Sequence, residues 1–459
     1  MTMSHLGEGV GIDKKTPWQE RSWYRWYALG LLTLVYVLHF VDRTVVFAIL
    51  EPIKHEFDLT DTQLGFYSGL VHSLPYALAG IPMGMLADRV NRRNLLAVII
   101  IIWSGLTALS GVAQSFLFLV VARLCVGAAE AGGTPSAMSM LADLFSLRRR
   151  STAMGIYMLG TPLGITVGYL LGGLVAAQFD WRMVFFIAGV PGIVLSLLLL
   201  LTLREPVRQE LITLDKPRGH ADFSPLVTLR FMARSPALLF VVAGVVWGTF
   251  ASGTVLAWVA PFLMRSHGFS VAEAGLAIAL GYGLAGALGT VIGGILADRL
   301  GARDVRWIPG LNAITSLIIV AAGAAMLLVQ DSFWCIVFLM LFGIGVSMQY
   351  GPGHGLFQSL LGAEMRGRGT AILFILIALI GAGLGPQFTG LLSDYWAASF
   401  GVDSLRYAML TGAASGLLTA IFFLAAMRHV REGINEAGRN RDLMKPASQA
   451  KGHFEADRG

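Results

Sequence analysis

The sequence predicts an all-α integral membrane protein with twelve transmembrane helices in two six-helix bundles. Of its 459 residues, 55% are hydrophobic and only 14% are charged, whereas a soluble domain carries about 25% charged residues. Twelve apolar stretches are long enough to cross a bilayer, and a repeated loop motif divides the chain into halves. The stretches lack the alternation of barrel strands, so only helices can satisfy their backbone hydrogen bonds in lipid.

The predicted spans follow one another along the whole chain. They cover residues 26–50, 64–87, 95–113, 117–140, 152–178, 183–203, 236–262, 272–296, 307–329, 333–361, 370–392 and 404–427. The first six form an N-terminal bundle (26–203) and the last six a C-terminal bundle (236–427). A polar cytoplasmic linker, 204–235, joins the bundles, and cytoplasmic segments at 1–25 and 428–459 flank them.

Basic residues are concentrated on one side of these spans. With the N-terminus in the cytoplasm, the inner segments hold 28 of the 34 Lys and Arg residues. The outer loops and the outer end of the last span hold only Lys54, Arg182, Arg265 and Arg406. Cytoplasmic loops of membrane proteins carry such an excess. We therefore expect a multi-pass protein with both termini in the cytoplasm.

Charge and cysteine content argue against several other classes. The net charge of +6 is explained by this topology and by anionic lipid, so nucleic-acid binding is not expected. Cys125 and Cys335 both lie within predicted spans, which leaves neither a disulfide framework nor a thiolate metal cluster. We expect no metal and no cofactor apart from protons as the coupling ion. Nucleophile motifs such as Gly-x-Ser-x-Gly are absent from the sequence, which argues against an enzyme.

A ten-residue motif occurs once in each half. Residues 84–93 read GMLADRVNRR after the second span, and residues 294–303 read GILADRLGAR after the eighth, with six identical positions. We interpret the charged residues of these loops as locks of the cytoplasmic gate, in which an aspartate pairs with arginine or caps a helix N-terminus. These gate candidates are Asp88, Arg89, Arg92, Arg93, Asp298, Arg299 and Arg303.

Four formal charges lie inside otherwise apolar spans of the first bundle: Asp42, Arg43, Arg123 and Glu130. A charge at the hydrocarbon centre costs about 2.5–3.5 kcal/mol on insertion scales, so such groups normally face a partner or a water-filled path. We predict that these residues form the transport site. A purely structural role, in which they lock helices together, is the alternative.

Helix geometry assigns a different role to each charge. Asp42 and Arg123 are expected at a shared depth of neighbouring helices and can pair, whereas Glu130 lies about two turns deeper, where we expect no basic residue. Asp42 and Glu130 are therefore the predicted proton-coupling residues, with His39, one turn from Asp42, either extending the proton path or serving in packing. Arg43 and Arg123 are the predicted anion-binding residues.

Several motifs resemble the signatures of the major facilitator superfamily over essentially the whole chain. They are the loop motif above, Arg123-x-x-x-Gly127, and Gly160-Thr-Pro-Leu-Gly164. Asp42-Arg43, the Asn at position 91, Glu130-Ala and the stretch 180–192 are similar to bacterial Spinster-type transporters. The resemblance implies a bacterial inner-membrane protein with a cavity lined by spans 1, 4, 7 and 10, and ion-coupled movement of lipid-like or other amphiphilic substrates.

The second bundle supplies a neutral wall to the predicted cavity. Its candidate substrate-binding residues are Thr249, Trp258, Gln349, Tyr350 and His354, and the stretch 351–355 (GPGHG) is expected to break span 10 there. Gly281-x-Gly283-x-x-Gly286 matches a dinucleotide fingerprint but lies inside an apolar span, so we interpret it as a helix-packing motif.

Together these observations predict a monomeric, proton-coupled secondary transporter of an amphiphilic, lysolipid-like substrate, surrounded by membrane lipids. A proton-coupled organic-anion symporter or a multidrug exporter is the alternative within transport, because an Asp-Arg pair in the first span also fits the anion symporters. A non-transporting receptor is the alternative from another class. It is disfavoured because residues 428–459 form only a short polar tail.

Overall fold

A computed structural model describes residues 22–206, 225–361 and 365–443 of the chain. Within these residues the regular structure is helical throughout. Eleven helical stretches are long and apolar enough to cross a membrane. The last, Arg366–Ala437, has 72 residues, far more than the ~20 that one crossing needs, and it turns back at Gly401–Asp403. The described residues therefore contain twelve spans, as the sequence predicts.

The N-terminal bundle contains spans 1 to 6. They comprise Ser22–Ala48 (span 1), Asp61–Ser68 and Leu70–Arg89 (span 2), Arg92–Ser110 (span 3), Phe116–Glu130 and Gly133–Leu144 (span 4), Leu147–Met158 and Gly160–Gln178 (span 5), and Trp181–Thr202 (span 6). A short helix, Leu50–Phe57, follows span 1.

The C-terminal bundle contains spans 7 to 12, preceded by the linker helix Pro225–Arg234. The spans comprise Pro236–His267 (span 7), Val271–Ile278, Ala279–Leu284 and Ala285–Arg303 (span 8), Trp307–Leu328 (span 9), Ser332–Ser359 (span 10), Arg366–Leu376, Ile377–Leu384 and Gly385–Phe400 (span 11), and Ser404–Ala414 and Gly416–Leu443 (span 12). The segments Ala279–Leu284 and Ile377–Leu384 are π-helical, a local irregularity that often marks functional regions.

One helix is longer than its predicted span, and one expectation about helix continuity is wrong. Span 12 continues to Leu443, beyond the predicted boundary at 427, because Val430 and Ala437 extend its buried face and Arg431 pairs with Asp304 at 2.6 Å. Span 10 is not broken at residues 351–355, since one α-helix runs through Pro352. Gly353 instead brings span 10 close to span 9, where a Cβ would lie 3.2 Å from Asn312 Nδ2.

The two bundles meet near one face of the molecule. We call the face where span 1 begins and span 12 ends the terminal face, and the other the opposite face. Glycines close the opposite face: a Cβ on Gly275 would lie 2.5 Å from the Tyr169 carbonyl of span 5, and one on Gly65 2.7 Å from the Pro386 carbonyl of span 11. Because these seams lie near the opposite face, the cleft between the bundles opens toward the terminal face.

Candidate functional site

Asp42 and Arg123 form a buried ion pair, as the sequence predicts. Arg123 Nη1 lies 3.0 Å from Asp42 Oδ2 and also donates to the Asp42 backbone carbonyl at 3.2 Å. The other carboxylate oxygen accepts a hydrogen bond from Thr107 of span 3. Both side chains are 4% exposed. Spans 1, 3 and 4 are thus joined at one carboxylate.

Glu130 is not isolated from basic residues, and that expectation is wrong. Its Oε2 atom lies 3.3 Å from Arg43 Nε, 3.3 Å from His39 Nδ1 and 3.0 Å from His72 Nε2. The prediction considered only depth along spans 1 and 4. The side chains of Arg43 and His39 are long enough to cover the difference in depth of about two turns. His72 comes from span 2, which the prediction did not consider.

Gly127 explains why span 2 comes within reach of Glu130. It lies one turn before Glu130 in span 4, and a Cβ at this position would collide with the His72 carbonyl oxygen. The absence of a side chain lets the two backbones touch, as small residues do between membrane helices. His72 is therefore a site residue that the sequence analysis missed.

The charged cluster consists of Asp42, Arg43, Arg123 and Glu130, with His39 and His72 beside them. Glu130 is fully buried, and its Oε1 atom and Arg43 Nη2 have no hydrogen-bond partner among the described residues. Unsatisfied buried groups of this kind are costly, and a proton on one carboxyl or an anion on Arg43 would relieve the cost.

The two arginines differ in access to the cleft. The Arg43 side chain is 23% exposed, with its guanidinium 4.6 Å from the centre of the Tyr76 ring. Arg123 is 4% exposed and already paired with Asp42. In this conformation Arg123 is occupied by Asp42, whereas Arg43 can be reached from the cleft. The anion-binding role of Arg123 stays a prediction.

The C-terminal bundle contributes an uncharged wall to the cleft. Val245, Gly248, Thr249, Ser252, Val346, Gln349, Tyr350, His354 and Phe423 line an open cleft of about 320 Å³. Four of the five predicted residues are among them. Trp258 is not: it is fully buried and its indole N–H donates to the Pro386 carbonyl at 3.0 Å, so in this conformation it ties span 7 to span 11.

An ion-pair network that the sequence analysis missed closes the opposite face. Arg265, at the end of span 7, crosses to the N-terminal bundle and contacts Glu51 at 2.8 Å and Asp61 at 2.8 Å. Lys54 Nζ lies 2.5 Å from Asp61, and Ser393 of span 11 donates to the same carboxylate at 2.6 Å. We call these five residues the opposite-face latch.

At the terminal face the predicted gate residues behave differently. Arg92 binds Asp143 at 2.6 Å and Glu205 at 2.7 Å, and the Arg93 backbone N–H donates to Glu205 at 2.9 Å. Both therefore contact only the N-terminal bundle and the first residues of the linker that follows it. Four further gate candidates are exposed: Arg89, Asp298, Arg299 and Arg303. The Asp88 side chain lies outside the described part of the structure.

The glycine motif at 281–286 is a packing motif, as predicted. A Cβ on Gly281 would lie 3.0 Å from Leu339, and one on Gly286 2.6 Å from Ser347 Oγ of span 10. Both therefore fit span 8 against span 10.

Comparison with known proteins agrees with this architecture. The sequence profile of the Major Facilitator Superfamily matches residues 32–386 and 250–456. The chain belongs to the major facilitator superfamily. It is 35% identical to a protein described as an MFS-type efflux pump from Mycolicibacterium smegmatis, over 90% of this chain and 95% of that protein. It is 27% identical to human "Protein spinster homolog 1", over 90% and 85% of the two chains.

A solved structure extends the likeness. A bacterial homologue of the human lysosomal transporter Spinster, in an inward-facing and unoccupied conformation, superposes with a TM-score of 0.78 at 29% identity, over 90% of this chain and 99% of that one. The Spinster resemblance found in the sequence is therefore confirmed. The chain is a multi-pass membrane transporter and not an enzyme.

Proposed function

We propose that the protein is a proton-coupled secondary transporter that moves an amphiphilic, lipid-derived anion by alternating access. One observation carries the proposal: a fully buried carboxylate, Glu130, lies against Arg43 and two histidines beside the cleft. Intramembrane ionisable groups of this kind mark proton and substrate paths.

Proton binding at Glu130 would control the anion site. When Glu130 is ionised, Arg43 is engaged by its carboxylate. When Glu130 is protonated, the positive charge of Arg43 is free to bind a phosphate or carboxylate headgroup from the cleft. Protonation then raises affinity for the anion, and anion binding raises affinity for the proton by the same factor.

The two walls of the cleft suit an amphiphile. The charged cluster lies on the N-terminal bundle, and the facing wall carries Val245, Val346 and Phe423 among a few neutral polar groups. A headgroup would lie against Arg43 and an acyl chain along the apolar residues. Each chain holds both walls, so we propose that it works as a monomer.

The basic-residue distribution supports the orientation that we propose. The terminal face would be cytoplasmic and the opposite face extracellular, in a bacterial inner membrane. The cleft would then open to the cytoplasm in this conformation.

Transport in proteoliposomes tests the proton coupling. We expect Glu130→Gln to bind substrate but to lose the response to a pH gradient. Glu56→Gln, which changes a carboxylate outside the cleft, is the matched control and should respond as the wild type does. Proton-driven uptake that is unchanged in Glu130→Gln would rule out this residue as the coupling group.

A second candidate is a multidrug exporter, which the similarity to the mycobacterial efflux pump favours. Lysophospholipids, hexuronates and cationic dyes should be compared as substrates of the wild type. Movement of the lysophospholipid alone supports the first proposal. Preference for hexuronate indicates an organic-anion symporter, and preference for the dye indicates an exporter.

A further inference from the structure

Four polar side chains of the C-terminal wall, Thr249, Ser252, Gln349 and His354, can only accept a further hydrogen bond. Gln349 lies on span 10 with its side-chain amide between span 9 and the cleft. Its Nε2 atom donates to the Asn312 carbonyl at 3.1 Å, to Thr315 Oγ1 at 3.1 Å and to Ser316 Oγ at 2.7 Å.

The surroundings of Gln349 fix which end of its amide faces the cleft. Thr315 already donates its hydroxyl proton to the Leu311 carbonyl at 2.9 Å, and Ser316 donates to the Asn312 carbonyl at 2.7 Å. All three partners of the amide on span 9 can therefore only accept, so the nitrogen must face them. The Gln349 Oε1 atom is left beside Gly248, 3.4 Å from where a Cβ would stand.

Three further polar side chains of the wall, those of Thr249, Ser252 and His354, have also used their protons. Thr249 donates to the Val245 carbonyl at 2.9 Å, and Ser252 to the Thr249 carbonyl at 3.2 Å. Because the Ser252 proton is engaged, the Ser252 hydroxyl oxygen can only accept a further hydrogen bond. His354 Nδ1 donates to the Tyr350 carbonyl at 2.9 Å, which leaves Nε2 of a neutral ring as an acceptor.

We propose that Thr249, Ser252, Gln349 and His354 form an acceptor-only subsite of this wall, which binds a hydrogen-bond donor of the substrate, a hydroxyl or an ammonium group. Gln349 is its specificity determinant. The inference rests on the proposed function and narrows its substrate class. The cargo is an amphiphile that carries an anionic head for Arg43 and a separate hydroxyl or amine near the head. The side chain of Asn312 does not supply a donor to this surface, because it is fully buried.

The expected selectivity follows from the cost of an unpaired polar group. A ligand without a donor displaces water from Gln349 Oε1 and puts nothing in its place, which weakens binding roughly ten- to hundredfold. A ligand that offers only another acceptor should bind equally weakly, because two hydrogen-bond acceptors cannot form a hydrogen bond with each other.

The test uses four lysophospholipid probes with one headgroup and one acyl chain, differing at glycerol C2: hydroxyl, amine, hydrogen or methoxy. Affinity is measured with purified wild-type protein at pH 8, where a free histidine is neutral, and without a gradient. We expect the hydroxyl or the amine probe to bind at least tenfold more tightly than the deoxy and methoxy probes, and the better of the two identifies the donor.

Gln349→Met removes the acceptor at similar volume. It should abolish the preference while leaving affinity for the deoxy probe unchanged, which also shows that the cleft is intact. Gln387→Met, at the seam between spans 2 and 11 where Gln387 bonds the Thr62 carbonyl, should keep the preference. Equal binding of all four probes to the wild type, or a preference that survives in Gln349→Met, overturns the subsite alone. Failure of every probe to bind overturns the proposed lipid substrate as well.

Discussion

At the opposite face, Arg265 of the C-terminal bundle binds Glu51 and Asp61 of the N-terminal bundle. At the terminal face, Arg92 binds Asp143 and Glu205, which belong to its own half of the chain. The chemistry is the same, an arginine clamped by two carboxylates, but only the first clamp crosses between bundles. The difference shows that the opposite face is the end held shut. Ion pairs between the bundles stabilise one conformation of the transporter, whereas ion pairs within one half stabilise the fold of that half.

Breaking the latch should have the largest effect. Arg265→Ala leaves Glu51 and Asp61 buried without their main counter-charge, and loss of one partner of a buried pair costs about 3–5 kcal/mol. We expect the opposite face to open, seen as longer distances between spin labels at that end of spans 5 and 8. Arg182→Ala is the control, because Arg182 pairs with Glu56 inside one bundle. An unchanged distance distribution in Arg265→Ala would remove the latch from the mechanism.

The terminal face offers the converse experiment. We predict that Asp88 and its repeat partner Asp298 form locks in the conformation that is closed at the terminal face. Arg265→Ala should favour that conformation, and Asp298→Asn in the Arg265→Ala background should restore the conformation that is open at the terminal face. The substitution removes a charge-assisted hydrogen bond worth about 1.5–3 kcal/mol. Labels at the terminal ends of spans 4 and 10 should move apart. Asp304→Asn, which breaks a pair inside the C-terminal bundle, should not move them, and equal behaviour of the two variants would contradict the lock.

Adding a side chain to a glycine at the opposite face should open that face less than breaking the latch does. A Cβ on Gly69 would collide with the Gly383 carbonyl of span 11, whereas one on Gly80, in the same span, meets nothing within 4 Å. Overpacking costs about 1–3 kcal/mol, so Gly69→Ala should shift the population toward an open opposite face and Gly80→Ala should not. Cysteine-accessibility labelling near the latch would report both. Similar labelling of the two variants would mean that the seam between spans 2 and 11 does not restrict opening.

Much of this arrangement can be predicted from sequence, and the reason is the membrane. The need to satisfy backbone hydrogen bonds in lipid fixes helices, and hydropathy fixes their number and approximate ends. The Asp42–Arg123 pair follows from depth alone, because two charges at one level of adjacent helices have few other partners. The C-terminal end of the span 12 helix cannot be predicted from hydropathy, since its last turns are polar and are stabilised by the pair of Arg431 with Asp304.

The residues that were missed depend on contacts between distant parts of the chain. His72 reaches Glu130 only because Gly127 lets spans 2 and 4 touch. Arg265 counts as a single basic residue in a topology argument, and its acidic partners lie over 200 positions earlier. The outer segments hold more acidic than basic residues, and this excess is the signal that could have revealed the latch.

Acidification that breaks an ion pair within one bundle should have the smallest effect on the conformation of the transporter. It should change the melting temperature without opening the opposite face, whereas loss of the latch should open that face. Hydrogen bonds from Arg182 hold the pKa of Glu56 below its usual range, and Trp181 Nε1 adds a bond of 2.6 Å. A lowered pKa in the folded state stabilises the protein fully above the unfolded value of about 4.3, and that stabilisation is lost as pH falls through the folded value. The difference in melting temperature between wild type and Glu56→Gln should therefore be constant from pH 8 to 6 and shrink below about pH 4. Because this pair lies within one bundle, spin-label distances across the opposite face should be the same in both proteins throughout. A melting difference that persists at low pH would show that Glu56 stabilises by packing and not by its charge.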